Sequence, residues 1–238
     1  MKLANQRIVV VGGSSGMGLA TAQAIAHQGA TVVITSRHQE NLDDARHQIV
    51  GQVETWLLDF TDEFRVKDFF IQVGQIDHLI LAAAGPPAWG NLVDLETAAL
   101  QQAFTTKFWG YFYCAKYALP HLRADGSILF FTGAAGRAAL PGTVGLAAVN
   151  GAILSMAHTL AKELAPLRVN AISPGLVDTP AYDWMREEEK QAFFEQMSRN
   201  LPVGRVGQAV EIAEAVVFLI ANGFVTGTVL DVDGGARL

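Results

Sequence analysis

The sequence predicts an α/β fold built on a parallel sheet with helices over both faces. Three observations carry the prediction. Short apolar runs rich in Val and Ile alternate with stretches of helical periodicity. The runs are continuously apolar instead of alternating, as strands buried on both faces are. A glycine-rich turn, VGGSSGMG at 11–18, joins the first run to the first helical stretch, which is where open α/β sheets receive their ligands.

The elements follow in order. RIVVV (7–11) is the first strand, and GLATAQAIAHQ beyond the turn is the first helix. TVVIT (31–35) is the second strand; NLDDARHQI after it puts Leu42, Ala45 and Ile49 on one helical face. ETWLL (54–58) and HLILAA (78–83) are the third and fourth strands. From 98 to 122, Leu100, Phe104, Phe108, Tyr111, Ala115, Ala118 and Leu122 recur at steps of three and four, which reads as one long helix packed on the core. SILFFT (127–132) is the next strand. A second long helix over 146–164 carries the stripe Val149, Ile153, Met156, Leu160 and Leu164, and LRVNAIS (167–173) and TVLDV (228–232) complete the strands. No linker, charge block or repeat divides the chain, so residues 1–238 read as one domain.

Composition narrows the function classes. Half of the residues are apolar and 17% are charged, the balance of a packed globule and not of a disordered chain. A net charge of −6 without a basic cluster gives no long-range pull on nucleic acid or on an anionic membrane. The longest uncharged stretch, 138–161, contains Pro141, Gly142, Gly145, Asn150 and His158; it reads as a buried helix or a subunit contact, not as a membrane span. The opening MKLANQRIVVV holds Lys2 and Arg7 but too short an apolar run for a secretion signal. Cys114 is the sole cysteine, so no intramolecular disulfide can form, and a cytoplasmic location is expected. Six histidines without ligand spacing predict no metal site.

The turn at 11–18 lets main-chain N–H groups approach a pyrophosphate at a helix N-terminus. Further along, the sequence resembles the short-chain dehydrogenase/reductase family over nearly its whole length. VGGSSGMG matches the family's TGxxxGxG turn with Val11 for Thr; Asp59 in LLDFTD matches the Asp after the third strand; AAAG (82–85) stands for NNAG; RVNAISPGLVDTP (168–180) matches RVNxIxPGxxxT; and LPVGRVGQAVEIAEAVVFLI and VTGTVLDVDGG match the C-terminal region. The resemblance implies a doubly wound Rossmann domain of about seven parallel strands, an oligomer (tetramer or dimer), and a small-molecule substrate. It also implies cofactor contacts. Gly12, Ser14, Ser15, Gly16 and Met17 would wrap the phosphates, Asp59 and Phe60 border the adenine, Ala83, Ala84 and Gly85 follow the adenosine ribose, and Pro174, Gly175, Leu176, Val177 and Thr179 hold the nicotinamide end. The second strand ends in TSRH, with Ser36 and Arg37 where a carboxylate would select NAD, and with His38 beside them. A hydroxyl and a planar cation suit a 2′-phosphate, so the cofactor is expected to be NADP(H).

The family's proton chemistry uses Ser, Tyr, Lys and Asn. Aligned residue by residue, the resemblance puts Gly133 at Ser with Thr132 before it, Leu146 at Tyr, Asn150 at Lys and Lys107 at Asn. Lys and Asn stand exchanged. Lys107, Thr132 and Asn150 are therefore the candidate catalytic set, with Asn150 also a neutral partner for the cofactor ribose. A lysine near an apolar pocket has a lowered pKa and can give up a proton; the plain alternative is an exposed or paired lysine. Tyr182 is a second candidate donor or a pocket-lining residue, and Tyr111 reads as an interface residue. The segment 183–200 falls in the family's variable lid. Trp184, Met185, Phe193, Phe194 and Met197 there, with Trp89 after Pro86-Pro87, predict an apolar pocket, and its REEEK run a solvated face. Two functions stay open: an NADP(H)-dependent reductase of a small carbonyl-type substrate with a non-standard proton donor, and a catalytically silent NADPH-binding sensor or regulatory protein.

Overall fold

The computed structural model describes residues 3–85 and 88–238; Lys2 and the Pro86-Pro87 pair lie outside them. Seven parallel strands form one sheet. They are β1 (Arg7–Val11), β2 (Thr31–Ser36), β3 (Gln52–Leu57), β4 (Ile76–Leu81), β5 (Leu122–Phe131), β6 (Arg168–Pro174) and β9 (Val229–Val232), in the order β3-β2-β1-β4-β5-β6-β9. The order of connection along the sheet reverses between β1 and β4, and Val10 of β1 pairs with both Ile34 and Ile80. A crevice therefore opens beyond the carboxyl ends of these strands. The doubly wound α/β class is as expected.

The continuous apolar runs have a direct cause. Alternate side chains leave a strand on opposite faces, and both faces are covered. Val9, Val11, Leu79, Leu81, Ile128 and Phe130 enter one core with α3 (Glu63–Val73), α5 (Gly110–Ala118) and α6 (Val144–Glu163). Ile8, Val10, Ile34, Ile80 and Leu129 enter the other with α1 (Gly16–His27), α2 (Gln39–Gln48) and α8 (Ala209–Ala221). By length and composition α6 could cross a membrane; here Val149, Ile153 and Ala157 bury it against the sheet.

The long helix expected over 98–122 is corrected. It is α4 (Thr97–Ala103), a π-helical turn (Phe104–Trp109), α5, and a short 3-10 turn (Leu119–His121). Pro120 stops the helix, because it offers no N–H to an earlier carbonyl. Leu122 belongs to β5 and pairs with Ile76. The strand then shifts register between Ile76 and His78, where Gly126 lies so close to the Asp77 carbonyl that a Cβ would sit 2.0 Å from its oxygen. Helix α3, absent from the sequence reading, is capped by Asp62, whose carboxylate accepts from Phe64 N at 3.0 Å and Arg65 N at 3.1 Å. A lid helix α7 (Glu187–Ser198) and a two-residue parallel pair, β7 (Val177–Asp178) with β8 (Gly207–Gln208), complete the elements used below.

His78 crosses from β4 to β5 in the interior. Its Nδ1 lies 2.8 Å from Ser127 Oγ and its Nε2 3.2 Å from Gln6 Oε1, a pairing that a neutral ring satisfies. Burial, helped by the charge of Arg168, pushes its pKa from 6.5 down to about 4. The unfolded chain thus binds the extra proton between those values. Stability is complete above pH 6.5 and falls as pH drops toward 4, by about 3 kcal/mol in all. Urea midpoints taken from pH 7.5 to 4.5 should show this slope, and His78→Gln should flatten it. An unchanged slope in the variant would assign the acid sensitivity elsewhere.

Candidate active site

Glycine geometry builds the end of the crevice beyond β1. Gly12 adopts φ +81°, and a Cβ there would meet Ala83 Cα at 2.6 Å, so the turn after β1 rests directly on the end of β4. A Cβ on Gly18 would lie 2.0 Å from the Gly12 carbonyl oxygen. Ser15 precedes α1 without a side-chain capping bond, which leaves the helix start open to an anion. Across the turn, Thr179 Cβ comes within 3.4 Å of where a Cβ on Gly16 would stand.

These groups line a cleft of about 370 Å³. Of the sequence-predicted cofactor residues, it collects Gly12, Ser14, Ser15, Gly16, Met17, Ser36, Arg37, Phe60, Ala83, Ala84 and Thr179. It also takes in His38, expected beside them, and adds Gly18, Thr35, Asn41, Leu58, Ala82, Pro180 and Ala181. Asn41 sits in the first turn of α2 and had no local signal; Pro180 and Ala181 simply continue the matched PGLVDT segment. Asp59, Gly85, Asn150, Pro174, Gly175, Leu176 and Val177 do not line it. For the loop residues the reason is visible. Gly175 is pinned on Asp233, where a Cβ would meet Cα at 2.7 Å. Leu176 O accepts from Gly207 N at 2.9 Å, and Val177 pairs with Gly207. They hold the base of a loop whose tip, Thr179 to Ala181, reaches the cleft.

Charge beyond the end of β2 is arranged around Arg37. Among the described residues Arg37 has no salt-bridge partner within 4 Å. Burial acts to raise the Asp59 carboxyl, but hydrogen bonds from Thr61 Oγ1 (2.7 Å) and Thr61 N (3.0 Å), with the charges of Arg37 and Arg65, outweigh it and hold Asp59 below the usual range. Phe60 packs over Gly110, where a Cβ would come within 2.3 Å of its ring, and beside Tyr111.

At the other end, Gly85 lies against the π-helical turn. A Cβ on it would meet Thr106 Cβ at 3.3 Å and Lys107 Cβ at 3.6 Å. Lys107 reaches from that turn to α6 and β5. Its Nζ donates to Asn150 Oδ1 at 2.8 Å and to Thr132 O at 3.1 Å. Burial without an acidic partner pushes its pKa down to about 8. Asn150 is 5% exposed, and its Nδ2 lies 3.1 Å from where a Cβ on Gly133 would stand. The Thr132 hydroxyl donates to Ile172 O at 2.9 Å, so this residue meets Lys107 through its carbonyl, not its side chain. The expectation of Tyr111 as an interface residue is corrected: it is fully buried within the chain and donates to Ala83 O at 2.9 Å. Tyr182 packs on Phe193 and Phe194 in the lid, where burial raises its pKa.

A larger groove, about 710 Å³, runs between α7 and residues 204–208. It is lined by charged side chains such as Glu187, Glu195, Arg199 and Arg205; of the residues expected to form an apolar pocket it holds Phe194, and it holds none of the expected cofactor or catalytic residues. Lys190 on its wall departs from the solvated face expected for REEEK. Its side chain is 14% exposed, and it bridges Asp178 at 2.9 Å and Asp183 at 3.2 Å, fastening the lid to the cofactor loop. Trp184 and Met197 are exposed rather than inward-facing.

Comparison with known proteins decides the family. A family model described as Enoyl-(Acyl carrier protein) reductase matches residues 11–237. The 3-oxoacyl-(acyl-carrier-protein) reductase FabG of Thermotoga maritima is 31% identical, with 99% of both chains covered. A solved short chain dehydrogenase/reductase family protein is 32% identical with a TM-score of 0.88, over 100% of this chain and 99% of that one. The chain belongs to the short-chain dehydrogenase/reductase family. Another solved relative, a small-chain dehydrogenase in complex with NADPH, is 39% identical with a TM-score of 0.85, over 98% of this chain and 99% of that one. For this short-chain dehydrogenase/reductase the structure brings Lys107, Asn150, Thr132 and Gly133 into one cluster beyond β4 and β5, with Leu146 half-buried in the first turn of α6.

Proposed function

We propose that this chain is an NADP(H)-dependent reductase of a small carbonyl-type substrate, in which Lys107 replaces the family tyrosine as proton source. The contact of Lys107 Nζ with Asn150 Oδ1, at 2.8 Å, carries the reading. It supports a coupled exchange: the ammonium moved from α6 to the π-helical turn, and the amide moved the other way. Gly133 belongs to the same exchange, because a side chain there would press on Asn150 Nδ2.

The cleft fits the cofactor. Gly12 and Gly18 let the turn close on Ala83 and on itself, where any Cβ would collide with backbone, and Arg37 offers a guanidinium with no salt-bridge partner among the described residues to a 2′-phosphate. Ser14, Ser15, Gly16 and Met17 would hold the phosphates, Ser36 and Arg37 the 2′-phosphate, Ala83 and Ala84 the adenosine side, and Thr179 the nicotinamide side, with Asp59, Gly85, Pro174, Gly175, Leu176 and Val177 supporting them from behind. When bound, NADPH supplies a hydride. The protein supplies the rest. Two of the three Lys107 N–H groups are anchored on Thr132 O and Asn150 Oδ1, which leaves the third to donate to a substrate oxygen. With its pKa near 8, the ammonium releases a proton more readily than an exposed lysine and regains it from solvent. Thr132 positions Lys107, and Asn150 orients it.

The matched span and the seven-stranded sheet support one domain over 1–238. The exposed Trp109 and Phe112, packed with Tyr113 on one face of the central helix, support a homo-oligomer, tetramer or dimer. The single buried Cys114 is in keeping with a cytoplasmic protein. Leu146 at the tyrosine position favours the second reading, a silent NADPH-binding sensor. NADPH oxidation against a panel of aldehydes and ketones separates the two: turnover supports the reductase, and tight NADPH binding without turnover the sensor. Arg37→Ala should weaken NADPH binding by about tenfold or more, the scale of a lost charge-assisted contact, and leave NADH binding nearly unchanged. Equal weakening in a calorimeter would remove Arg37 from the 2′-phosphate site.

A further inference from the structure

The loop that leaves β5 has no long side chain of its own to hold it in place. Gly133, Ala134, Ala135 and Gly136 carry at most a methyl group, yet the loop is pressed against the reactive cluster at two points. A Cβ on Gly136 would stand 2.8 Å from Asn150 Cβ, and one on Gly133 would stand 3.1 Å from Asn150 Nδ2. A shift of the loop toward α6 presses on Asn150, and a shift away leaves it unsupported. Asn150 Oδ1 is the atom that receives Lys107 Nζ at 2.8 Å. Internal bonds set the curl of the loop: Gly136 N donates to Gly133 O and Arg137 N to Ala134 O, both at 2.9 Å. They do not tie it to the sheet. Arg137 does. It is the only Asp, Glu, Lys or Arg between Asp125 and Lys162, and it directly follows Gly136. Its Nε lies 2.9 Å from Asp231 Oδ1, and the Asp231 side chain is 17% exposed. Asp231 stands on β9, in register with Ser173 of β6. Its second oxygen, Oδ2, lies 3.1 Å from Arg237 Nε, so each carboxylate oxygen faces a guanidinium.

We infer that Asp231 is a positioning residue: through Arg137 it sets the loop 133–137 against Asn150, and through Asn150 it sets the place of the Lys107 ammonium. The inference rests on the reductase reading for the consequence of that placement. A proton donor works over a reach of about 3 Å, and a misplacement of about 1 Å costs up to about a hundredfold in rate. Ion pairs with partly exposed members add little to stability, so the effect of this one falls on the rate more than on the fold. The competing role is fastening alone, because β9 is the edge strand of the sheet.

The test separates the two roles. Asp231→Asn keeps the size and removes the charge. Arg137→Met keeps the stem and removes the guanidinium; Asp231 then still has Arg237, so no bare carboxylate is left. Amide exchange is followed by mass spectrometry on the full chain, and NADPH oxidation with the fastest aldehyde or ketone of the panel. Each variant should exchange residues 132–138 at least about fivefold faster than the wild type, as a locally opened segment does, with 228–232 and the urea midpoint unchanged. The kcat should fall about tenfold, the scale of a modest misplacement, while KM for NADPH stays the same. Asp231→Glu should recover most of the rate. The double variant should be no slower than either single one, as for two residues that act through one contact. Wild-type exchange at 132–138 in both variants overturns the inference. So do an unchanged kcat and losses that multiply in the double variant. Exchange that quickens equally at 228–232 overturns it in favour of edge fastening. A wild type that oxidises no NADPH with any member of the panel removes the reductase reading instead, and exchange at 132–138 still decides whether Asp231 holds the loop.

Discussion

Lys107→Met should lower kcat for NADPH-dependent carbonyl reduction by about a hundredfold or more, the scale of a lost general acid, while NADPH binding stays within a few fold. The expectation comes from where the ammonium sits. It is the only cation the structure places against Asn150 and Thr132 among the described residues, and Leu146 offers no proton in the first turn of α6. The pH profile adds a readout that a purely structural role would not move. With the Lys107 pKa near 8, the donor form is present below that value and is lost as pH rises through it, so the rate should fall above pH 8. Lys107→Arg separates charge from proton transfer. A guanidinium keeps the positive charge but does not release its proton near neutrality, so this variant should bind NADPH and substrate and remain slow. Full activity in Lys107→Met, with the fold intact by circular dichroism, would sink the assignment and return the proton to solvent or Tyr182.

What could be read from the sequence depended on whether the cause was local. The strands were legible because burial on both faces writes an apolar run into the chain itself. The phosphate turn was legible because close approach requires glycine at fixed spacing. The π-helical turn was not: FTTKFW fits the i, i+3, i+4 stripe of an ordinary helix, and nothing in that stripe announces a wider turn. Asn150 and Lys107 lie far apart in sequence, so only the family resemblance brought them together. The bond of the Thr132 hydroxyl was not legible because its partner, Ile172 O, belongs to the neighbouring strand. Lys190 looked solvated inside a charged run, yet Asp178 and Asp183 reach it from the loop after β6. Tyr111 was misplaced for the same reason, since its hydroxyl is satisfied by a carbonyl at the end of β4.

Gly18→Ala should be the most damaging single change to cofactor binding. The added Cβ would fall 2.0 Å from the Gly12 carbonyl oxygen, a separation no real contact tolerates, and both atoms belong to backbone. Relief requires the start of α1 to lift away from the turn, and the turn is itself braced on Ala83. The N–H groups that would meet a pyrophosphate then lose their common aim. NADPH affinity should drop at least about a hundredfold, the cost of roughly two charge-assisted hydrogen bonds. Stability should fall by about 1–3 kcal/mol, as for an overpacked interior. The two effects are separable. Titration of NADPH at 15 °C, with circular dichroism confirming a folded chain, reads binding alone, and a urea series reads stability. Gly151→Ala is the matched control. It lies in α6 with nothing within 4 Å of the new Cβ, and a helical alanine should stabilise by about 0.5–1 kcal/mol without touching affinity. If Gly18→Ala binds NADPH as the wild type does, the turn after β1 is not where the phosphates lie.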